Sequence, residues 1–314
     1  MRSLNRVTCP LVFVLLVALA NCSAPAVSTP TPTNTLASPT FTLSPTAVPS
    51  STPSPGLPTD ISTPSSIPPT RTPRPTPAPT LTADEERALV LGLLRDNGGC
   101  RLPCWWGFTP GETSWQIAET FFVSQGKKIW NYGDPQDYTV IFDTPSHYQS
   151  YIVKDGTIDM ISVHAEPPTR GDELVFGDSQ FVEDWEPYML PRMLGTYGQP
   201  PQVLLGVGPG VPWVPFDLLL FYPDEGILVR YEAPAERGEG VFRMCPYKTD
   251  ITLWLWSPHT DRRHIADWES MIGGESYFRS LAEATGLSIE QFYQTFSQPD
   301  NQTCLETPAD LWGG

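Results

Sequence analysis

The chain has 314 residues, with 19 Lys and Arg against 35 Asp and Glu, and a formal net charge of −16 at pH 7. This charge argues against nucleic acid and anionic lipid as partners, because both require a basic protein surface. Nearly half of the 36 prolines precede residue 83. Only the part of the chain that follows has the composition of a packed domain.

Residues 1–22 have the pattern of a secretory signal. Arg2 and Arg6 precede an unbroken apolar run, LVFVLLVALA at 11–20, which is too short to span a bilayer as a permanent helix. The run ends in Leu-Ala-Asn-Cys, with Cys22 last. An ordinary signal peptide cut nearby and an uncleaved anchor are the alternatives to processing at this cysteine.

The end of this segment resembles the lipobox of bacterial lipoproteins, in which the residue after the cut is a cysteine. Asn21 departs from the usual Gly or Ala before that cysteine. The resemblance implies that Cys22 is diacylated and becomes the mature N-terminus. The expected location is the outer face of a bacterial membrane, at the cell surface or in the periplasm, with the membrane as a partner through the acyl anchor.

Residues 23–82 are predicted to be a disordered linker rich in Pro, Thr and Ser. These 60 positions hold 16 Pro, 15 Thr and 10 Ser, with no periodic apolar face. Such a segment cannot bury enough apolar surface to offset its conformational entropy. Proline favours polyproline II geometry, so the linker is expected to act as a semi-rigid spacer that holds residues 83–314 away from the membrane.

In chain order, the folded part begins with two predicted helices and three strands. The first helix starts at the capping box Thr82-Ala83-Asp84-Glu85 and stops at Asn97-Gly98. A second capping box at 113–116 opens the next helix, which Gly126 ends. Strands are predicted at 138–142, 147–154 and 157–164, the last two joined by the hairpin dipeptide Asp155-Gly156.

The same order recurs after a turn-rich break. A bent helix is predicted at 182–197, followed by strands at 202–205, 216–222 and 227–232. Two further strands, 240–245 and 251–256, are expected to extend the second sheet. The run ITLWLW at 251–256 is apolar on both faces, which predicts a central strand covered on both sides.

This order predicts an α+β fold of two helix-plus-antiparallel-meander units, 99–167 and 172–257, with a helical C-terminal segment at 258–314. The stretches YIVKDGTIDMISVHAEP (151–167) and LLFYPDEGILVRYEAP (219–234) support the repeat, because each is a hairpin that ends in a Glu and a Pro. The C-terminal helices are expected at 261–271, 275–285 and 288–296.

A weak resemblance accompanies this order of elements. Gly111-Glu112-Thr113 before one helix, and Leu194-Gly195 through Gly198-Gln199-Pro200 after another, resemble the helix and L-G-x-P pattern of SmpA/OmlA-type envelope lipoproteins. The C-x-L-P-C-W-W-G motif at 100–107 resembles uncharacterised exported bacterial domains. The first family implies a non-enzymatic envelope role through protein contacts.

Four cysteines remain beyond the export signal, and an even number in an exported domain favours disulfides. Three pairings are possible. We favour Cys100–Cys104, which are close in sequence with Pro103 between them, and Cys245–Cys304, which would fasten the C-terminal tail to the end of a strand.

Tryptophans in Gly- and Pro-rich surroundings are candidates for exposed binding platforms for a glycan or a peptide. The alternative is that they fill gaps in the core. The candidate residues are Trp105, Trp106, Trp213 and Trp312.

An esterase is the second alternative function. Gly177-Asp178-Ser179 resembles the Gly-Asp-Ser block of GDSL esterases, and Asp261-Arg262-Arg263-His264 has the form of their Asp-x-x-His block. The resemblance implies Ser179 as nucleophile and His264 as base. Against it, only 82 positions separate Ser179 from Asp261, the segment between them is predicted as an antiparallel meander, and the Gly-x-Asn-Asp block is absent.

The sequence shows no metal motif of the H-E-x-x-H or D-x-D-x-D-G type, so we predict neither a metal site nor a cofactor. The leading hypothesis is a lipid-anchored, surface-displayed binding or structural module without catalysis. Its expected ligand is a protein or a glycan of the cell envelope.

Overall fold

The computed structural model describes residues 81–133, 136–143, 145–209, 214–260, 264–272, 277–299 and 301–313. The fold is mixed, with a large antiparallel sheet and helices packed on it. The predicted export signal, Cys22 and almost the whole linker lie outside the described residues, as does Trp213. Among the described residues, no helix has the length and hydropathy needed to cross a bilayer.

Helices and strands occupy the following ranges. The helices are α1 Ala83–Asp96, α2 Trp115–Ser124, α3 Ser179–Asp184, α4 Leu190–Tyr197, α5 Glu269–Ile272, α6 Leu281–Thr285 and α7 Ile289–Phe296. The strands of the large sheet are β1 Ile129–Asn131, β2 Gln136–Asp143, β3 Ser146–Lys154, β4 Thr157–Ala165, β7 Gln202–Val207, β8 Pro215–Tyr222, β9 Ile227–Pro234, β12 Asp250–Trp256 and β13 Phe278–Ser280. Outside it lie β5 Thr169–Arg170, β6 Glu173–Leu174, β10 Glu236–Arg237, β11 Val241–Met244 and β14 Leu305–Pro308.

The large sheet has the order β1-β2-β3-β4-β12-β9-β8-β7-β13, and every neighbouring pair is antiparallel. The two predicted meanders are therefore parts of one sheet, and β12 joins them. All seven residues of β12 are buried, which confirms the prediction of a central strand. Its side chains alternate between two hydrophobic clusters, one on each face of the sheet.

One face of the sheet, the helical face, packs against the helices. Leu253 and Leu255 of β12 contribute to its core. The first helix begins and ends where the sequence predicts, since the Thr82–Glu85 capping box forms and Asn97 closes the helix in the left-handed region. The buried residues of α1 are Val90 and Leu94, which pack into the same core.

The other face, which we call the second face, has a smaller core. Trp254 and Trp256 of β12 point to this side and pack with Trp268 and Ile272 from the segment 264–272. The ring centroids of Trp256 and Trp268 are 4.4 Å apart. This segment covers only one end of the second face.

Two predictions about topology are wrong. The strand predicted at 240–245 does not extend the large sheet, because β11 pairs with β10 and β14 in a separate three-stranded sheet. The segment 258–314 is not purely helical either, since β13 joins the large sheet beside β7 and β14 pairs with β11. Both strands form through partners distant in sequence, which local periodicity does not reveal.

The disulfides are Cys100–Cys104 and Cys245–Cys304, which is the pairing that the sequence favoured. Asn97 organises the loop of the first one. Its side-chain amide donates to the carbonyl oxygens of Cys100 and Cys104, and its oxygen accepts from the N–H of Trp106. A Cβ at Gly98 would come within 2.8 Å of the Trp106 backbone, so only glycine fits beside this loop.

A chain of polar side chains is buried on the helical face of β3. The Tyr151 hydroxyl donates to Gln149 Oε1 at 2.6 Å, and Gln149 Nε2 lies 3.1 Å from His147 Nε2. His147 Nδ1 lies 2.8 Å from the carbonyl oxygen of Pro145, which can only accept. The imidazole is therefore neutral, with its proton on Nδ1 and its Nε2 accepting from Gln149. Burial lowers the pKa of His147 to about 3.

We predict that His147 makes the fold sensitive to acid. The folded protein keeps the imidazole neutral, whereas the unfolded chain binds a proton below about pH 6.5. The folded state therefore loses stability as pH falls from about 6.5 towards 3. At about 1.4 kcal/mol per pH unit, the loss approaches roughly 4–5 kcal/mol near pH 3. Urea unfolding at a series of pH values measures it. His147→Gln, which cannot titrate, should flatten this slope, and an unchanged slope would contradict the assignment.

Candidate functional site

The tryptophans proposed as exposed platforms are not exposed. Trp105 and Trp106 are 0% and 5% exposed and belong to the core of the helical face. The loop organised by Asn97 turns both rings inward, where they stack on each other and Trp106 packs edge-on against His147. Trp312 is partly buried, and its indole N–H donates to Thr307 Oγ1 at 2.9 Å. The prediction is therefore wrong for the first two, and Trp312 has a structural contact.

The proposed esterase residues are not brought together. Ser179 is the first residue of α3, whose Phe181 packs in the core of the helical face. His264 is the first residue of the segment 264–272, which packs on the second face through Trp268. The two side chains are exposed on elements that lie on opposite faces of the sheet. Asp178 serves as the N-cap of α3, and Asp261 lies outside the described residues.

The second face carries a different constellation, arranged in three rows across neighbouring strands. Strand register places the residues of each row opposite one another. The histidine row consists of Ile141, Tyr148, His164, Thr252 and Arg230. The serine row consists of Trp130, Thr139, Ser150, Ser162 and Trp254. The carboxyl row consists of Asp217, Glu232 and Asp250, and continues to Glu166 just beyond the end of β4.

His164 sits at the centre of the histidine row between two hydrogen-bond partners. Its Nδ1 lies 2.8 Å from Thr252 Oγ1, and its Nε2 lies 3.0 Å from Glu166 Oε1. Burial lowers the pKa of His164, and the hydrogen bond to Glu166 offsets part of that effect. A carboxylate only accepts, so Nε2 carries the proton of the neutral ring and Nδ1 accepts from the Thr252 hydroxyl. The Tyr148 ring packs 4.9 Å from the imidazole.

Arg230 joins the histidine row to the carboxyl row. Its Nε donates to Asp217 Oδ1 at 2.6 Å, and its Nη2 forms an ion pair with Glu232. The Glu232 backbone N–H donates to Asp250 Oδ1 at 3.2 Å. Three carboxyl groups therefore face one guanidinium in this part of the site. Burial, the charge of Glu232 and the charge of Asp217 raise the pKa of Asp250 well above its ordinary value, although Arg230 opposes the shift.

Tyr277 closes the row on the side of β8. Its hydroxyl donates to Asp217 Oδ2 at 2.8 Å. The ring lies where Cβ atoms at Gly206 and Gly208 would be, since these would fall within 2.4 Å and 2.5 Å of it. Glycine at both positions is therefore what lets the ring reach Asp217, whose side chain is completely buried.

The opposite end of the second face is open. Three apolar side chains lie there at the surface, with Trp130 41%, Ile141 50% and Tyr148 40% exposed. We call these three the aromatic platform. The Lys128 ammonium lies 3.3 Å from the ring centroid of Trp130. The surface therefore has a cation at the β1 end and carboxyl groups at the β9 and β12 end.

One part of this arrangement contains the residue types that acyl transfer uses. Thr252, His164 and Glu166 have the residue types of a nucleophile, a base and an orienting acid. Acyl transfer also needs free N–H donors beside the nucleophile to stabilise an oxyanion. Thr252 lies opposite His164 of β4 and Arg230 of β9, so the backbone N–H groups of β12 are used in pairing with these two strands. Thr252 is also only 7% exposed.

Two cavities lie away from these rows. A groove of about 300 Å³ runs between α4 and the segment after α7, with Met189, Pro191, Tyr247 and Pro299 among its lining residues. A polar pocket of about 440 Å³ lies between β6 and the end of β9. In the part of the chain that the structure describes, no group of three or more His, Cys, Asp or Glu side chains is arranged to hold a metal ion.

The chain matches no known protein family, no curated protein sequence and no solved structure.

We predict that Asp250→Asn stabilises the protein at neutral pH. The amide oxygen keeps the hydrogen bond from Glu232 N–H, and the substitution removes the cost of ionising a buried carboxyl group. Because the pKa of Asp250 is raised in the fold, the wild-type protein loses stability as pH rises through that pKa. The variant should gain on the order of 1 kcal/mol at pH 7.

The gain should shrink to nothing below the ordinary pKa of an aspartate, where both forms are neutral. Thermal unfolding of wild type and variant between pH 3 and pH 8 measures it. A variant that is less stable than wild type at every pH would show that the ionised carboxylate stabilises the fold.

Proposed function

We propose that this protein is a lipid-anchored, extracytoplasmic binding module without catalytic activity, whose ligand lies across the second face of the sheet. The observation that supports this proposal is the open surface formed by the aromatic platform and the adjoining rows of hydroxyl, imidazole and carboxyl groups. Exposed apolar side chains that are rimmed by polar groups mark interaction sites. Among the alternatives, this surface favours a glycan over an ester substrate.

The chemistry of the surface supports a glycan ligand. A sugar ring presents an apolar face that packs on aromatic side chains, and its hydroxyls need donors and acceptors close by. Trp130 and Tyr148 offer the rings, while Ser150, Ser162 and Glu166 offer hydrogen bonds. At about 4.8 Å per strand, the surface extends roughly 19 Å from β1 to β12. An extended oligosaccharide fits such a surface.

We also propose that the two helix-plus-meander units are related by an approximate two-fold symmetry. One unit comprises α2 followed by β1 to β4, and the other comprises α4 followed by β7, β8, β9 and β12. The sheet order places these units back to back, with β4 beside β12. An approximate two-fold axis perpendicular to the sheet would relate them and keep both helices on one face. On this proposal β4 corresponds to β12, not to β9 as the two similar hairpins suggest.

The export signal supports the location. Acylation of Cys22 would anchor the mature chain, and the proline-rich linker would hold the domain away from the lipid surface. The two disulfides are compatible with an oxidising compartment outside the cytoplasm. The weak resemblance to SmpA/OmlA-type lipoproteins is likewise compatible with a non-enzymatic envelope role.

We predict that Cys22→Ala abolishes lipidation. In a bacterial host, wild-type protein should incorporate labelled fatty acid and sediment with membranes. The Cys22→Ala protein should incorporate none and appear in the soluble exported fraction or as the unprocessed precursor. Wild-type levels of label in the variant would refute the anchor and leave the proposed binding surface unaffected.

We predict that Trp130→Ala and Tyr148→Ala each weaken binding of an N-acetylglucosamine hexamer by about tenfold, since stacking on an aromatic ring contributes roughly 1–1.5 kcal/mol. Isothermal titration calorimetry on the full-length protein in detergent measures this. Tyr247→Ala is the matched control, because that aromatic residue lines the groove beside α4. Weaker binding in the control alone would move the site to that groove.

A further inference from the structure

We propose that the ligand of the second face is a glycan with free, positively charged amino groups, which the carboxyl row recognises. The inference rests on the proposed function, since it names the class of glycan that the same surface binds. It depends on which charges along the rows are already compensated and which are accessible.

Asp217 is fully engaged. One of its oxygens accepts from Arg230 and the other from Tyr277, and its side chain has no exposed surface. The positive charge of Arg230 is therefore balanced at close range by a buried partner. Arg230 also forms an ion pair with Glu232, and burial raises the pKa of Asp250, which disfavours its charged form. Glu166, whose partner is the neutral His164, is a carboxyl group of this row that Arg230 does not contact.

Among the remaining carboxyl groups, the one nearest the aromatic platform is the most exposed. The Glu232 side chain on β9 is 19% exposed, Asp250 on β12 is 6% exposed, and the Glu166 side chain just beyond β4 is 51% exposed. His164 lies beside them, and its lowered pKa keeps it neutral at pH 7, so it adds no positive charge. A ligand that approaches from solvent meets an excess of negative charge at this end.

The rows place charge recognition within reach of ring stacking. The Tyr148 ring lies 4.9 Å from the His164 imidazole, and His164 Nε2 lies 3.0 Å from Glu166 Oε1, so Glu166 is close to Tyr148. A sugar ring that packs on Tyr148 would direct a ring substituent towards Glu166, and only a further sugar unit along the row could reach Glu232, which lies three strands from Tyr148. An ammonium group there forms charge-assisted hydrogen bonds, whereas an acetamide cannot supply the charge and a carboxylate would be repelled.

The positive charge of Lys128 does not argue against a cationic glycan as the ligand. Lys128 lies over Trp130 in β1, at the opposite end of the aromatic platform from the carboxyl row. Neutral or cationic sugars are also the ligands that an acidic domain tolerates, since the net charge of residues 83–314 is about −19. The overall charge is thus a competing cause of any preference for cations, and the experiment must separate the two.

The test compares two hexamers with the same backbone, one of glucosamine and one of N-acetylglucosamine, by calorimetry on the full-length protein. We expect the amine form to bind at least tenfold more tightly. Glu166→Gln should remove most of this difference, and Glu166→Gln with Glu232→Gln should remove all of it. Glu119→Gln, an exposed carboxyl on α2 at the helical face, is the matched control and should retain the full preference.

Each outcome has a separate meaning. Equal binding of the two hexamers overturns the inference and leaves the proposed function intact. A preference that survives in the double variant, or that falls equally in Glu119→Gln, comes from the overall charge and also overturns it. Binding of neither hexamer overturns both proposals. Because Glu166 is at the surface, its single variant is expected to fold, and its thermal unfolding should match that of wild type.

Discussion

Burial of β12 on both faces is the constraint on which the rest of the structure depends. A strand with Leu253 and Leu255 on one side and Trp254 and Trp256 on the other must be covered twice. The helices cover one face, and the segment 264–272 covers part of the other. Because β12 pairs with both β4 and β9, it also joins two meanders that would otherwise end in unpaired edges.

The loop at 98–113 depends on the same core. The loop is dense in cysteine, tryptophan and glycine, a composition that suggests an active site. In the structure these residues form a tight turn and part of the core. Asn97 holds the loop through three hydrogen bonds to the backbone, and the two indole rings complete the aromatic core around His147. Unusual composition in a loop can therefore reflect the difficulty of packing short elements.

Local signals in the sequence predicted local structure well. The capping box at Thr82, the hairpin at Asp155-Gly156 and the doubly apolar β12 all appear as expected. Partners distant in sequence were not predictable, so β11 and β13 were assigned wrongly. The site was missed for the same reason: the rows exist only once the register of seven strands, β1 to β4, β12, β9 and β8, is fixed. The sequence did contain a signal for these rows. Polar residues alternate with apolar ones in the same way before Glu166 and before Glu232.

The carboxyl row is costly for the fold, which is the reason to connect it with binding. Removing charges from water demands compensation, and replacing a buried ion pair by apolar residues is often neutral or stabilising. Here Arg230 pairs with both Asp217 and Glu232, so its single charge cannot compensate both, and burial together with the neighbouring charges raises the pKa of Asp250. The cluster continues through Glu166 to an exposed surface, where a ligand can reach it. A cationic ligand would supply the missing charge, whereas a purely structural network would be expected to balance its charges internally.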